Sequence, residues 1–239
     1  LLFTANSVAY PLTLEQRKRF KRYLPGTFPK LEAQEPVHFV VLGDSVTGGY
    51  TPLEGAWEQN NPVFSYVGGF IDLIAREFFY TGGARLLNPP AGGSQTSEDF
   101  LGRSITFENL AVLTGTSMTG LRRTSTDAFL HQPDLVIIQY GIYDALNRLS
   151  LDTYKRAIQE TIDAGRKKNA DIIVIGPGLA NYGGGSMEFG LTRPYSMAAK
   201  EVAFANGVLF MDSGQHLSRF GGGVLPDTHP DAAMEIVGD

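Results

Sequence analysis

The 239-residue chain has no cysteine, a single tryptophan (Trp57) and only four histidines. Without cysteine there are no disulfides, thiolate metal sites or cysteine nucleophiles, although the compartment stays undetermined. There is no basic excess. The formal net charge is −5, which argues against broad nucleic-acid binding, since that needs a basic surface. One exception, Arg17-Lys18-Arg19-Phe20-Lys21-Arg22, reads more readily as a solvated helix face than as a patch for an anionic partner. No run approaches the roughly 18 apolar residues of a membrane span. Leu1 to Ala9 could be the tail of an export signal, but the charged start and long apolar core are missing. Export to a periplasm or the exterior is thus favoured only slightly over the cytoplasm. Ile236 to Asp239 stop within a segment that looks helical, so the native chain is expected to continue.

What the chain does contain is an apolar run, Val37-His38-Phe39-Val40-Val41-Leu42, ending abruptly in Gly43-Asp44-Ser45-Val46. Such a run reads as a strand buried on both faces of a parallel sheet. In open α/β sheets the working groups gather beyond the carboxyl ends of the strands, so Ser45 stands where a nucleophile is useful. The competing reading is a turn whose serine merely caps a helix.

The same pattern recurs downstream. Residues 13–24 are helix-forming and charged, and Pro25 to Pro36 reads as a connecting arm. Further strands are expected at Thr106 to Leu113, Leu135 to Tyr140, Ile172 to Ile175 and Val208 to Met211. Helices are expected over Val67 to Phe79, Leu151 to Lys168 and Arg193 to Asn206. Tyr50 to Pro62, Asn88 to Ser97 and the Gly-rich residues 183–190 read as loops. Strands alternating with helices imply a three-layer α/β/α sandwich around a parallel, flavodoxin-like five-stranded sheet. One domain, residues 37–239, is expected, with residues 1–36 packing on it as a helix and arm.

A serine nucleophile needs a base, usually histidine. His38 lies inside the first strand, His131 on a helix-to-strand link and His216 in a short helix expected after the fifth strand. His229 sits in Leu225-Pro226-Asp227-Thr228-His229-Pro230, where the chain would return past the carboxyl edge. Prolines on both sides restrict the backbone there, and His229 is the base of choice. Gly43 to Tyr50 has P-loop glycine spacing without its lysine, and no G-x-S-x-G elbow occurs. Nothing in the sequence calls for a metal or another cofactor.

Gly43-Asp44-Ser45, a Gly-bearing turn after the second strand, Gly141-Ile142-Tyr143-Asp144 after the third, and Asp227-Thr228-His229-Pro230 together resemble the SGNH, or GDSL, hydrolase superfamily. The similarity runs in order from about residue 37 to 236. It implies Ser45 as nucleophile, His229 as general base and Asp227 as the carboxylate that orients the imidazole. It also implies an oxyanion hole at the positions of Ser45, Gly115 and Tyr143, the first two through backbone N–H groups, with Gly120 or the Asn88–Gly93 loop as alternatives to Gly115. Asp44, Tyr50, Trp57 and Tyr182 are candidate substrate contacts. The three aromatics fit sugar platforms or ordinary loop packing.

The chain departs from the family pattern twice. The family carries asparagine where Tyr143 stands, and two residues rather than one between the catalytic aspartate and histidine. The missing amide leaves open a substitute donor (the Tyr143 hydroxyl, Asn109 or Asn147) or slow or absent chemistry. The short spacing leaves open a Ser–His dyad. The function implied is a serine ester hydrolase that removes a small acyl group, most readily acetyl, from a carbohydrate or similar small polar ester. The alternatives are a glycan-binding domain of weak or no activity and an O-acyltransferase using the same serine.

Overall fold

Val37–Gly43 is apolar at nearly every position because both of its faces are covered. Phe39 and Val41 pack with Phe28, Leu31, Ile71 and Ala75 on one side of the sheet. Val40 and Leu42 pack with Ile158, Ile162, Ala199 and Val202 on the other. This strand, β1, is the centre of a computed structural model describing residues 12–48, 50–53, 56–59, 66–87, 104–130, 132–178 and 189–213.

Before β1 come helices α1 (Leu14–Tyr23) and α2 (Thr27–Glu32). After it come α3 (Ser45–Gly48), β2 (Tyr50–Leu53), β3 (Ala56–Gln59), α4 (Tyr66–Glu77), β4 (Ala84–Leu86) and β5 (Ile105–Asn109). The remainder is α5 (Ser117–Thr124), β6 (Leu135–Gln139), α6 (Ile142–Leu146), α7 (Leu151–Arg166), β7 (Asp171–Gly176), α8 (Phe189–Asn206) and β8 (Leu209–Asp212). The main sheet has the order β4-β5-β1-β6-β7-β8, every pair parallel. Helices cover both faces, as the alternating pattern implies.

The sheet has six strands rather than five. The extra one, β4, is a three-residue edge strand on β5, too short to leave a periodic signal. Its neighbours β5-β1-β6-β7-β8 keep the flavodoxin-like order. Three local expectations also change. Tyr50 to Pro62 contains an antiparallel hairpin, β2 with β3. The arm from Pro25 to Pro36 contains α2, whose Thr27, Phe28 and Leu31 are buried. The strand expected from Thr106 to Leu113 ends at Asn109, whose Oδ1 accepts from the Ala111 amide at 3.2 Å and turns the chain.

Helix α1 begins with a capping box between Thr13 and Gln16 and buries none of its residues, in keeping with its run of cations. Helix α2 is tied to the start of the sheet. The Asp171 carboxylate accepts from the Gly26 and Thr27 amides at 3.0 and 2.6 Å, and Lys30 pairs with Asp134 at 2.6 Å.

Candidate active site

Asp44 and Ser45 follow β1 directly, at the carboxyl edge of the sheet. The single turn α3 starts here, and its cap is Asp44, not Ser45. Asp44 Oδ1 accepts from the Val46 amide at 3.0 Å, and its carbonyl accepts from the Gly48 amide at 2.9 Å. Ser45 is thereby the first residue of the turn, where a backbone N–H has no acceptor within the helix. Its side chain is free of capping duty. Ser45 is buried, and its hydroxyl donates to the Tyr143 hydroxyl at 3.4 Å.

Tyr143 arrives from α6, after β6. Gly141 forms the junction with φ 134°, and a side chain there would strike Pro177 at 2.7 Å, so only glycine fits. The neighbouring Asp144 is fully buried. It accepts the Ser117 hydroxyl at 2.6 Å, and each of its oxygens lies 3.1 Å from the Ser117 amide. Ser117 opens α5 two residues after Gly115, so one carboxylate ties the Tyr143 turn to the Gly115 turn. Val112 donates to the Gly43 carbonyl at 3.0 Å, which sets the Gly115 turn against the end of β1. The Gly115 amide itself donates to Val112 O at 2.9 Å, so an oxyanion would share that donor with a carbonyl.

Beneath Ser45 lies a second set of polar contacts. Thr47 donates to Gln139 Oε1 at 2.6 Å, and Gln139 Nε2 reaches Gly176 O at 3.4 Å and Ser213 Oγ at 3.3 Å. Asn109 Nδ2 donates to Thr47 O at 3.0 Å. The turn that carries Ser45 is thus pinned to the ends of β5, β6, β7 and β8. Sequence reasoning did not single out Thr47, Gln139 or Ser117. The signal available was a polar residue, Gln139, closing the otherwise apolar strand Leu135-Val136-Ile137-Ile138.

Burial dominates the electrostatics. It pushes the Asp44 carboxyl from 3.8 up to about 7, against the Val46 and Thr47 amides that favour its anion, with Asp144 adding repulsion. Its Oδ2 is buried, with no hydrogen-bond partner among the described residues. Burial also raises Asp144, opposed by its bonds from Ser117. Asp44 caps the turn that carries Ser45 and is almost wholly covered.

The backbones of Tyr50 and Trp57 lie on β2 and β3. Tyr182, Asp227 and His229, with His131 and His216, lie outside the described residues. His38 sits on β1, where its Nδ1 meets Thr106 Oγ1 at 3.2 Å. Among the described residues no three metal-ligating side chains converge. A cavity of about 350 Å³ opens between Phe20, Phe28, Phe70 and Phe78, and no residue of the carboxyl edge lines it.

A serine at the end of the first strand, a glycine turn after the neighbouring strand and an Asp-bearing turn after the next define an esterase of the SGNH type. The sequence model of the GDSL-like lipase/acylhydrolase family matches residues 41–235, and the chain belongs to that family. No curated protein matches the chain. Among solved structures it is similar to a lipase/acylhydrolase from Enterococcus faecalis, with 21% identity and TM-score 0.56, covering 78% of this chain and 81% of that one. It is also similar to a variant of Axe2, an acetyl xylan esterase from Geobacillus stearothermophilus, with 17% identity and TM-score 0.54, covering 84% and 87%. A third is LAE5, an alpha/beta hydrolase enzyme from the metagenome of Lake Arreo, Spain, with 17% identity and TM-score 0.51, covering 77% and 80%. At these identities the likeness is one of fold.

Proposed function

We propose that the protein removes a small acyl group, acetyl foremost, from a carbohydrate or similar polar ester through an acyl-enzyme on Ser45. The observation that carries this reading is the buried Ser45 hydroxyl, released from capping by Asp44 at the carboxyl edge of a GDSL-family sheet. Ser45 Oγ attacks the ester carbonyl while His229 takes its proton. The negative charge that develops on the carbonyl oxygen faces the Ser45 and Gly115 amides. Collapse breaks the bond to the leaving alkoxide, which receives the proton from His229, and Ser45 keeps the acyl group. Water then attacks, giving up a proton to His229, and Ser45 recovers it as the acid departs. Asp227 orients the imidazole in this scheme. Membership of the family supports the ester chemistry. The small polar substrate is supported by the aromatic residues of the 50–62 segment and Tyr182, and by an acetyl xylan esterase among the proteins of similar fold.

Release of acetate from acetylated xylo-oligosaccharides, and of nitrophenol from p-nitrophenyl esters of rising chain length, tests the reading. Acetate esters should be the best substrates, and Ser45→Ala should abolish turnover. Undiminished hydrolysis by Ser45→Ala would remove Ser45 from the mechanism. The single residue between Asp227 and His229 favours a second reading, a glycan-binding domain without turnover. Covalent labelling of Ser45 by an organophosphonate, seen by mass, would exclude it.

A further inference from the structure

We infer that the Tyr143 hydroxyl is the third oxyanion donor of this enzyme, performing through a phenol what the family performs through an asparagine amide. The inference rests on the ester-hydrolase reading of Ser45.

Three observations carry it. The first is position. The Tyr143 hydroxyl stands 3.4 Å from Ser45 Oγ. A tetrahedral carbon bonded to Oγ carries its oxyanion one bond further out. A donor at this distance from Oγ can therefore lie about 2.7–3.1 Å from that oxygen, the range an oxyanion hole requires. The second is that the contact is long. Strong O–H···O bonds are about 2.7–2.8 Å, so the Ser45 proton remains available to a base. A phenol both accepts and donates. Tyr143 accepts from Ser45 in the resting enzyme, and its own O–H turns onto the carbonyl oxygen once the Ser45 proton has left.

The third observation is that neither asparagine nearby is placed to do this. Asn109 is buried, with Nδ2 on Thr47 O and Oδ1 taking the Ala111 amide. Asn147 is exposed at the C-cap of α6, one turn beyond Tyr143. Tyr143, by contrast, is aimed. Gly141 sets the entry of α6 against Pro177, and the Asp144–Ser117 bonds register α6 with the Gly115 turn. Asp144 and Ser117 are positioning residues here. Because the Gly115 amide is shared with Val112 O, the phenol is the donor that this site can least spare.

The test compares wild type, Tyr143→Phe, Tyr143→Asn and Ser45→Ala on p-nitrophenyl acetate, with urea midpoints measured on each. An oxyanion donor acts only in the transition state. Tyr143→Phe keeps the ring and should lose about 10²–10³ in kcat while KM stays within about threefold. Tyr143→Asn restores an amide at the family position and should recover at least about tenfold over Tyr143→Phe. Wild-type kcat in Tyr143→Phe, a loss carried in KM instead, or equal losses in the two variants would overturn the inference. In each of those outcomes an inactive Ser45→Ala leaves the hydrolase reading intact. Full activity in Ser45→Ala would overturn the hydrolase reading itself.

Discussion

Replacing Asp44 by asparagine should make the stability of this protein less dependent on pH. In the folded chain burial pushes the Asp44 carboxyl up to about 7, because ionising it leaves a fully buried charge whose Oδ2 has no partner among the described residues. In the unfolded chain the same group ionises near 3.8. Between these values the unfolded state binds fewer protons, so stability is full below the unfolded value and falls as pH rises toward 7. At about 1.4 kcal/mol per unit, the loss approaches about 4 kcal/mol by pH 8. Asparagine keeps an acceptor for the Val46 amide, 3.0 Å from Oδ1 in the native protein, and mimics the protonated acid. Its amide N–H₂ adds a cost that does not vary with pH, about 1–3 kcal/mol for an unsatisfied buried group. The stability difference between Asp44→Asn and wild type should therefore move in the variant's favour by up to about 4 kcal/mol from pH 4 to pH 8. For a domain of this size that is a change of roughly 10 °C in the difference between melting temperatures. Urea denaturation followed by circular dichroism at pH 4, 5, 6, 7 and 8 measures it. Asp171 also titrates upward and is common to both proteins, so it largely cancels. Parallel loss of stability in the two proteins across this range would refute the reasoning, because Asp44 would then be ionised throughout.

Two further substitutions probe the turn that holds Ser45. A methyl group added by Gly43→Ala would lie 2.2 Å from Thr47 Oγ1, and should cost about 1–3 kcal/mol and lower esterase activity. An urea midpoint equal to wild type would show that the turn yields freely. Gln139→Leu removes the acceptor of the Thr47 hydroxyl and the donor to Gly176 O, and should destabilise by about 1–3 kcal/mol. In the same denaturation assay, a change below about 0.5 kcal/mol would mean that water replaces the amide there.

The parts of this fold that were legible are those whose signal is local. A strand covered on both faces must be apolar throughout, so β1, β6 and β7 announce themselves, as does α7 with Tyr154, Ile158 and Ile162 on one side. The edge strand β4 and the hairpin of β2 with β3 are short and pair with residues distant or oppositely directed, and neither leaves a periodic trace. Helix α2 was hidden by flanking prolines and a length of six residues.

At the site, the chain order alone sets Ser45 at the end of β1 and Tyr143 just beyond β6, because glycine turns after buried strands are recognisable along the sequence. Whether Ser45 caps its helix is a question of where one carboxylate points, and only the folded chain gives that task to Asp44. Contact between Ser45 and Tyr143 spans 98 positions and depends on the parallel pairing of β1 with β6, which sets Gly43 beside Gln139. Sequence determines which groups stand at strand ends. The register between strands decides which of those groups meet, since backbone hydrogen bonding across the sheet fixes distances that no local pattern encodes.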